Sequence, residues 1–374
     1  MLTKELSKLF RYLFLFLFLI KSQIIFAQAI LKEDSAINYK NKLIVLPLVF
    51  YTPETKLAFG GIGIFLFKAG HDLKTRTSNF DFVVVHTTNG QTIVEPTYTI
   101  YTKGERFYMR GTEILSLKAN ELLYVPGNRT HKHLDAHEVT YNSIKFNNSF
   151  LFRVAPFTYF GIKQQFNNPY NIIIDKKTQK YGQKSYDSAF SVASGIGPAL
   201  LYDTRDNIVN PFKGFFVDLG LTFFNKCVRS VKDFNNIFLD ARAYKQWNPK
   251  GTLAFNTILN FNIGEYPPLQ QLGSLGGGTV LRGFYRGRYK ERHAIVFQTE
   301  YRQHIYKNFG VTVFAGIGEV AKTMNEFRIK GINYSYGTGL RYMINKTERL
   351  NIRLDFGFGN NDSHGIYAGI SEAF

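Results

Sequence analysis

The chain has 374 residues and a formal net charge of +18, from 46 Lys and Arg against 28 Asp and Glu. A single cysteine, Cys227, excludes an internal disulfide framework, and no apolar run reaches the roughly 20 residues of a membrane-spanning helix. Aromatic residues make up 16% of the chain, with 36 Phe and 23 Tyr against 4 Met, a bias that suits β-strands and the aromatic girdles of membrane barrels.

At the start, Lys4, Lys8 and Arg11 precede the apolar stretch from Tyr12 to Ile20. Phe26-Ala27-Gln28-Ala29 then supplies the small residues of a cleavage site. This pattern predicts a secretory signal peptide over 1–27. A short periplasmic segment over 28–42 is expected to follow, and a single domain over 43–374. An exported chain is not expected to meet nucleic acid. Its basic excess points to outer-membrane lipids and lipopolysaccharide, or to lysine dispersed over a solvated surface.

From residue 43 onward the sequence falls into two-residue alternations. In 213–224, Phe215, Val217, Leu219, Leu221 and Phe223 share one face and Phe216, Asp218, Gly220 and Thr222 the other. In 333–344, Tyr334, Tyr336, Leu340 and Tyr342 oppose Ser335, Gly337, Gly339 and Arg341. In 349–359, Leu350, Ile352, Leu354, Phe356 and Phe358 oppose Asn351, Arg353, Asp355 and Gly357. Period two with one apolar face marks a half-buried antiparallel strand. About 16 such segments can be counted, the last over 366–374, where Phe374 ends the alternation.

Connections are mostly long at one end, as over 119–137, 168–187, 225–233, 265–291 and 320–332. They are mostly tight at the other, as in Asn248-Pro249-Lys250-Gly251 and Asn345-Lys346-Thr347-Glu348. Alternating long and short connections with an even strand number predict an all-β fold: a closed antiparallel transmembrane β-barrel with long loops outside and short turns in the periplasm. The apolar faces must then meet lipid and the charged faces must be enclosed. A soluble sandwich or lipocalin-like barrel would instead keep a polar outward face.

Within 265–291, Gly273-Ser274-Leu275-Gly276-Gly277-Gly278-Thr279-Val280 delivers Leu281-Arg282-Gly283-Phe284. An arginine boxed by apolar residues on a glycine-rich loop suggests a packed loop tip that needs a partner for its charge. Tyr202-Asp203-Thr204-Arg205-Asp206-Asn207 continues to Pro211 and Gly214, and Tyr51-Thr52-Pro53-Glu54-Thr55 leads to Phe59-Gly60. In these three stretches the chain resembles the BamA/TamA-like family of outer-membrane insertases, the bacterial surface antigen or outer membrane protein 85 superfamily. The first matches the family's (V/L)RG(F/Y) motif in its sixth loop, the second its periplasmic-turn pattern and the third its first hairpin.

The resemblance implies a bacterial outer-membrane protein that inserts or translocates other proteins, working with unfolded outer-membrane clients and accessory subunits. It also implies that the sixth loop folds into the lumen, where Arg282 pairs with an acidic wall residue. Asp355 and Glu300 both have the required parity, so either or both are expected as partners. The pairing either locks the fold or takes part in the mechanism. Asp203, Arg205, Asp206, Pro211 and Gly214 are expected to shape a periplasmic turn. Pro47 lacks a ladder donor and Gly369 weakens its strand, so the first and last strands are expected to form a weak seam, closed by Phe374. Relatives are thought to open this seam to template an incoming strand. A rim proline in a static barrel is the alternative.

With only a short segment expected ahead of the first strand and no G-x-S-x-G element, the chain is expected to depart from the family in lacking periplasmic POTRA modules and a patatin-like lipase. It is expected to be a barrel-only member, with a passive channel or a subunit of a larger export complex as the alternative functions. No Ser-His-Asp set falls at convincing positions, so an enzyme is not expected, and no cofactor is implied. His131, His133 and His137 beside Glu138 have metal-like spacing but read as part of a solvated loop, so no metal is assigned. The glycines Gly276 to Gly278 lack the Gly-Lys-Ser/Thr of a phosphate-binding loop.

Overall fold

The computed structural model describes residues 41–52, 56–69, 75–123, 137–174, 190–346 and 349–374. The signal peptide expected over 1–27, most of the segment expected over 28–42, Pro53 to Thr55, His131 and His133 lie outside the described residues.

The strands are β1 (Lys42–Thr52), β2 (Lys56–Phe67), β3 (Ser78–Thr87), β4 (Thr92–Tyr101), β5 (Phe107–Leu123) and β6 (His137–Ala155). They continue with β7 (Thr158–Ile174), β8 (Ala193–Asp203), β9 (Gly214–Phe224), β10 (Phe234–Asn248), β11 (Gly251–Gly264), β12 (Gly273–Leu275) and β13 (Tyr289–Glu291). The last five are β14 (His293–Tyr306), β15 (Phe309–Ala321), β16 (Asn333–Asn345), β17 (Leu350–Gly359) and β18 (Ser363–Ile370).

All but β12 and β13 belong to one 16-stranded antiparallel sheet in which each strand pairs with its neighbour in sequence. β11 pairs with β14, and the small β12–β13 hairpin stands apart from the sheet. β18 returns to lie against β1, which brings the two ends of the sheet together as a barrel. Among the described residues no paired register joins them.

The alternation read from the sequence sets the two faces. Phe297, Val313, Tyr336 and Leu340 point outward and are exposed, whereas Glu300, Thr312, Arg341 and Asp355 point inward and are buried. This is the reverse of a water-soluble protein and is what a hydrocarbon surround requires.

Strand height varies around the wall. β5, β6 and β7 have 17, 19 and 17 residues, whereas β17, β18 and β1 have 10, 8 and 11. The tall strands extend into stretches that read as loops in sequence. Bulges between Ser116 and Ala119, and between Thr140 and Asn142, shift the register. Each bulge breaks the period of two while the ladder continues beyond it.

The last strand also differs from the alternation, which carries it through Phe374. β18 stops at Ile370, and Ser371 adopts a left-handed conformation at φ 69°. Continued as a strand, Glu372 would sit on the lipid face with Ile366 and Ile370. The turn at Ser371 instead sends Glu372, Ala373 and Phe374 inward, where all three are buried. A carboxylate that would be costly in hydrocarbon finds arginines in the lumen.

The two faces make a testable contrast. Val313→Arg, near the middle of β15 and lipid-facing, should destabilise the barrel by about 2–4 kcal/mol. Urea titration of the protein folded in liposomes would measure it; a cost near zero would mean that this face does not meet lipid.

Candidate functional site: the luminal loop and its ionic knot

The β12–β13 hairpin folds into the barrel and carries residues 276–288 at its tip. Leu275, Leu281, Phe284 and Tyr289 pack with Ala294 and Val296 of β14 and Val320 of β15 in one buried cluster. Leu281 takes the left-handed conformation at φ 47°, which costs of order 1–3 kcal/mol for a residue other than glycine. Its N–H donates to Gln298 Oε1 at 3.0 Å, and Gln298 Nε2 donates back to Thr279 O at 3.0 Å. The loop backbone lies against β17 so closely that a Cβ on Gly357 would sit 2.7 Å from Gly283 N.

Arg282 is 1% exposed, and Glu300 and Asp355 are fully buried. Arg282 Nη1 donates to Asp355 Oδ2 at 2.5 Å, and Nη2 donates to Glu300 Oε2. The structure thus pairs Arg282 with both carboxylates at once. Its guanidinium also lies 3.6 Å from the centre of the Phe314 ring, an arrangement that adds a cation–π attraction.

Further charges from the wall complete the knot. Arg353 Nη1 reaches Asp355 Oδ2 at 2.8 Å and Arg341 Nη1 reaches Asp355 Oδ1 at 2.6 Å. Arg302 Nε reaches Glu300 Oε1 at 2.6 Å. The inward-turned tail adds Glu372, which accepts from Arg341 Nε at 2.7 Å and Asn351 Nδ2 at 2.6 Å. Arg302 Nη2 also donates to the main-chain O of Phe374 at 2.7 Å. Four guanidinium groups therefore surround three carboxylates, all of them buried.

Arg302, Arg341 and Arg353 are legible in the sequence as polar-face residues: Arg302 and Arg353 stand two positions from Glu300 and Asp355, and Arg341 faces Arg353 across the β16–β17 ladder. Glu372 is not, because alternation gives it the wrong face. Gly339 stands opposite Asp355 in the β16–β17 ladder and leaves the room in which Asp355 meets Arg341.

The loop also holds both sides of the barrel. On β18, Tyr367 Oη accepts from Gly283 N at 3.1 Å and donates to Phe284 O at 3.0 Å. On the opposite wall, Lys290 Nζ of the hairpin meets Glu121 Oε1 of β5 at 2.7 Å, and Glu121 accepts from Tyr141 Oη at 2.8 Å.

At the periplasmic end, the turn over 204–213 is a strut more than a tight connection. Asp203 is fully buried and takes Arg205 through Nε and Nη2, both at 2.9 Å, and Arg76 Nη1 at 3.2 Å. The Arg205 guanidinium rests 4.3 Å from the Phe216 ring centre. Burial opposes the Arg205 charge, but Asp203 outweighs it and holds the group above its usual range. Asp206 accepts from Phe212 N and Lys213 N and pairs with Arg349 Nη1 at 2.7 Å. Burial works against the Asp206 charge, yet Arg349 and these amides outweigh it and hold its carboxyl below the usual range.

Pro211 bends the return, and Gly214 takes φ 109°, a value that side chains rarely adopt. The strut reaches across the mouth. Ile208 packs on the Tyr101, Tyr108 and Phe216 cluster, and Val209 on Ile64, Leu66 and Leu350. Asn210 Oδ1 accepts from Arg302 Nη1 at 3.4 Å.

Of the residues expected at the seam, Pro47 and Gly369 lie on β1 and β18, but Phe374 does not, because the turn at Ser371 carries it inside. Pro47 is exposed on β1 opposite Gly61, Gly369 lies opposite Arg353, and Phe374 packs inside with Tyr244 and Ala254.

A family model described as the Omp85 superfamily domain matches residues 87–374. The chain belongs to the Omp85 superfamily. Among solved structures, it is similar to BamA from Haemophilus ducreyi lacking POTRA domains 1-3, with a TM-score of 0.55 and 14% identity over 89% of this chain and 71% of that one. It is also similar to CdiB from Acinetobacter baumannii, with a TM-score of 0.53 and 10% identity over 90% of this chain and 60% of that one. At these identities the likeness is one of fold. A search of curated proteins finds no match. Membership in this superfamily places the barrel in the outer membrane.

The knot predicts a strong, non-additive mutational effect. Arg282→Ala should cost about 3–5 kcal/mol, because it removes a buried partner shared by Glu300 and Asp355 together with the stacking on Phe314. Asp355→Asn combined with Arg282→Ala should cost less than the sum of the two single changes, because both act on the same ion pair. Urea unfolding in detergent micelles measures both, and a neutral Arg282→Ala would show that the knot does not hold the loop.

Proposed function

We propose that this barrel is an outer-membrane insertion or translocation factor that acts at the junction of β1 and β18. The observation that carries the reading is this junction. Among the described residues the two strands lie side by side without a paired register, whereas every other neighbouring pair in the sheet has one. In hydrocarbon each unpaired backbone group costs several kcal/mol, so an edge of this kind favours pairing with a further strand.

Strand length supports the same reading. With 8 residues, β18 is shorter than the roughly 9–11 that a tilted membrane strand needs. Lipid beside it must thin to match, at a fraction of a kcal/mol per Å. Insertion of another protein is easiest where the bilayer is already perturbed.

The luminal loop has a role in this reading. Through Tyr367 it ties β18 to the knot on β14 and β17, so the loop sets how far the last strand can move. Partners would be outer-membrane lipids and lipopolysaccharide, unfolded outer-membrane clients and accessory subunits that deliver them. Export through a cleaved signal peptide over 1–27 belongs to the same proposal, as does the division into a short segment over 28–42 and a barrel over 43–374. A passive channel is the second reading. The loop, the strut over 204–213 and the inward tail all occupy the lumen and oppose it.

The test is folding of an unfolded outer-membrane barrel into liposomes, with and without this protein. It should fold faster with the protein present and lose that gain with Arg282→Ala. A cysteine pair placed across β1 and β18 in a Cys227→Ser background should abolish the gain when oxidised and restore it on reduction. Unchanged activity when locked would remove the seam from the mechanism. No gain from the unlocked protein would reject autonomous insertion and favour the channel, read directly as a large, stable conductance.

A further inference from the structure

Between the strut and the periplasmic turns of β10–β11, β14–β15 and β16–β17 lies a cavity of about 510 Å³. Six cations line it, Lys250, Arg302, Lys307, Arg341, Lys346 and Arg349, and among the described residues Glu372 is its one carboxylate. Three of the six are committed: Arg302 to Glu300, Arg341 to Asp355 and Glu372, and Arg349 to Asp206. For Lys250, Lys307 and Lys346 no ion pair is found among the described residues, which do not include Glu348.

Two details show a built site as well as a basic rim. The lysine-bearing turns are tied together, because the His304 amide donates to Lys250 O at 2.8 Å and His304 Nε2 lies 2.6 Å from Lys307 O. Arg341 is 4% exposed, yet its Nη2 makes no hydrogen bond and reaches Glu300 Oε1 only at 3.9 Å. A buried guanidinium N–H without an acceptor is costly, and an acceptor entering from the cavity would relieve it.

We propose that this periplasmic-mouth cavity is an oxyanion site that takes a phosphate group, with Lys250 and Lys307 supplying charge and Arg341, which lines the cavity, a donor that lacks an acceptor. A phosphate carries up to two charges and several acceptor oxygens, which suits point-charge lysines combined with an arginine N–H. The cavity is larger than phosphate alone and lies among the short turns at one end of the barrel. Basic pockets in other membrane proteins hold anionic lipid headgroups. The same chemistry is offered by free phosphate, so the two sources must be separated.

Lipid-stripped protein in a neutral detergent at low ionic strength would be titrated calorimetrically with inorganic phosphate, and separately with short-chain phosphatidic acid. One saturable site per chain is expected. Lys250→Gln with Lys307→Gln should weaken it by about tenfold or more. Both lysines are exposed turn residues, and the heat-dependent gel shift of a folded barrel checks that the variant is intact; Lys307→Gln alone serves if it is not. Phosphatidic acid that competes with phosphate and binds more tightly assigns the site to a headgroup, and weaker binding assigns it to free phosphate. The proposal is overturned if neither ligand saturates by about 10 mM at low salt, or if the lysine substitutions leave the affinity unchanged.

Discussion

A strand in hydrocarbon has no water with which to satisfy its backbone, and the rest of this molecule follows from that constraint. It forces a sheet that returns on itself, an apolar outer face and a lumen that collects the charged side chains. Fifteen ladders satisfy it. Between β1 and β18 it is met least well, and the proposed activity sits there. The lumen then inherits a second problem, because charges gathered inside a narrow barrel must neutralise one another.

The ionic knot solves the second problem in a particular way. Asp355 alone meets Arg282, Arg341 and Arg353. A single buried ion pair gains little over a well-packed apolar pair, but removing one partner from a buried network is expensive. The knot therefore contributes less to overall stability than to fixing one position of the loop. The left-handed Leu281 and the close approach of Gly283 to β17 are local strains that this fixation sustains.

Much of this was legible in the sequence, for physical reasons. Period-two alternation reports directly on two-sided burial, so the 16 barrel strands and the outward apolar face could be read from it. Parity placed Glu300 and Asp355 on the luminal face, and the family resemblance implied that Arg282 would reach them, as it does. What alternation could not show are the places where the backbone departs from it. Bulges near Ser116 and Thr140 hid the ends of β5 beyond residue 118 and of β7 beyond residue 167, whereas β6 was legible over nearly its whole length. The turn at Ser371 reversed the face of Glu372 and brought Phe374 inside. The turn over 204–213 looked short because its residues are polar and its length modest. Its function as a strut depends on contacts with Arg302, Arg349 and Leu350, far away in the chain, which no local pattern encodes.

The uneven wall height has a consequence beyond the single molecule. A barrel that is tall along β5 to β7 and shortest at β18, with 8 residues, deforms the bilayer unevenly around its wall. That gives it a direction within the plane of the membrane. Elastic cost falls when two thinned patches merge, so short rims attract other short rims across the intervening lipid without any direct contact. Two such barrels, or one barrel and a squat newcomer, would be drawn together seam first.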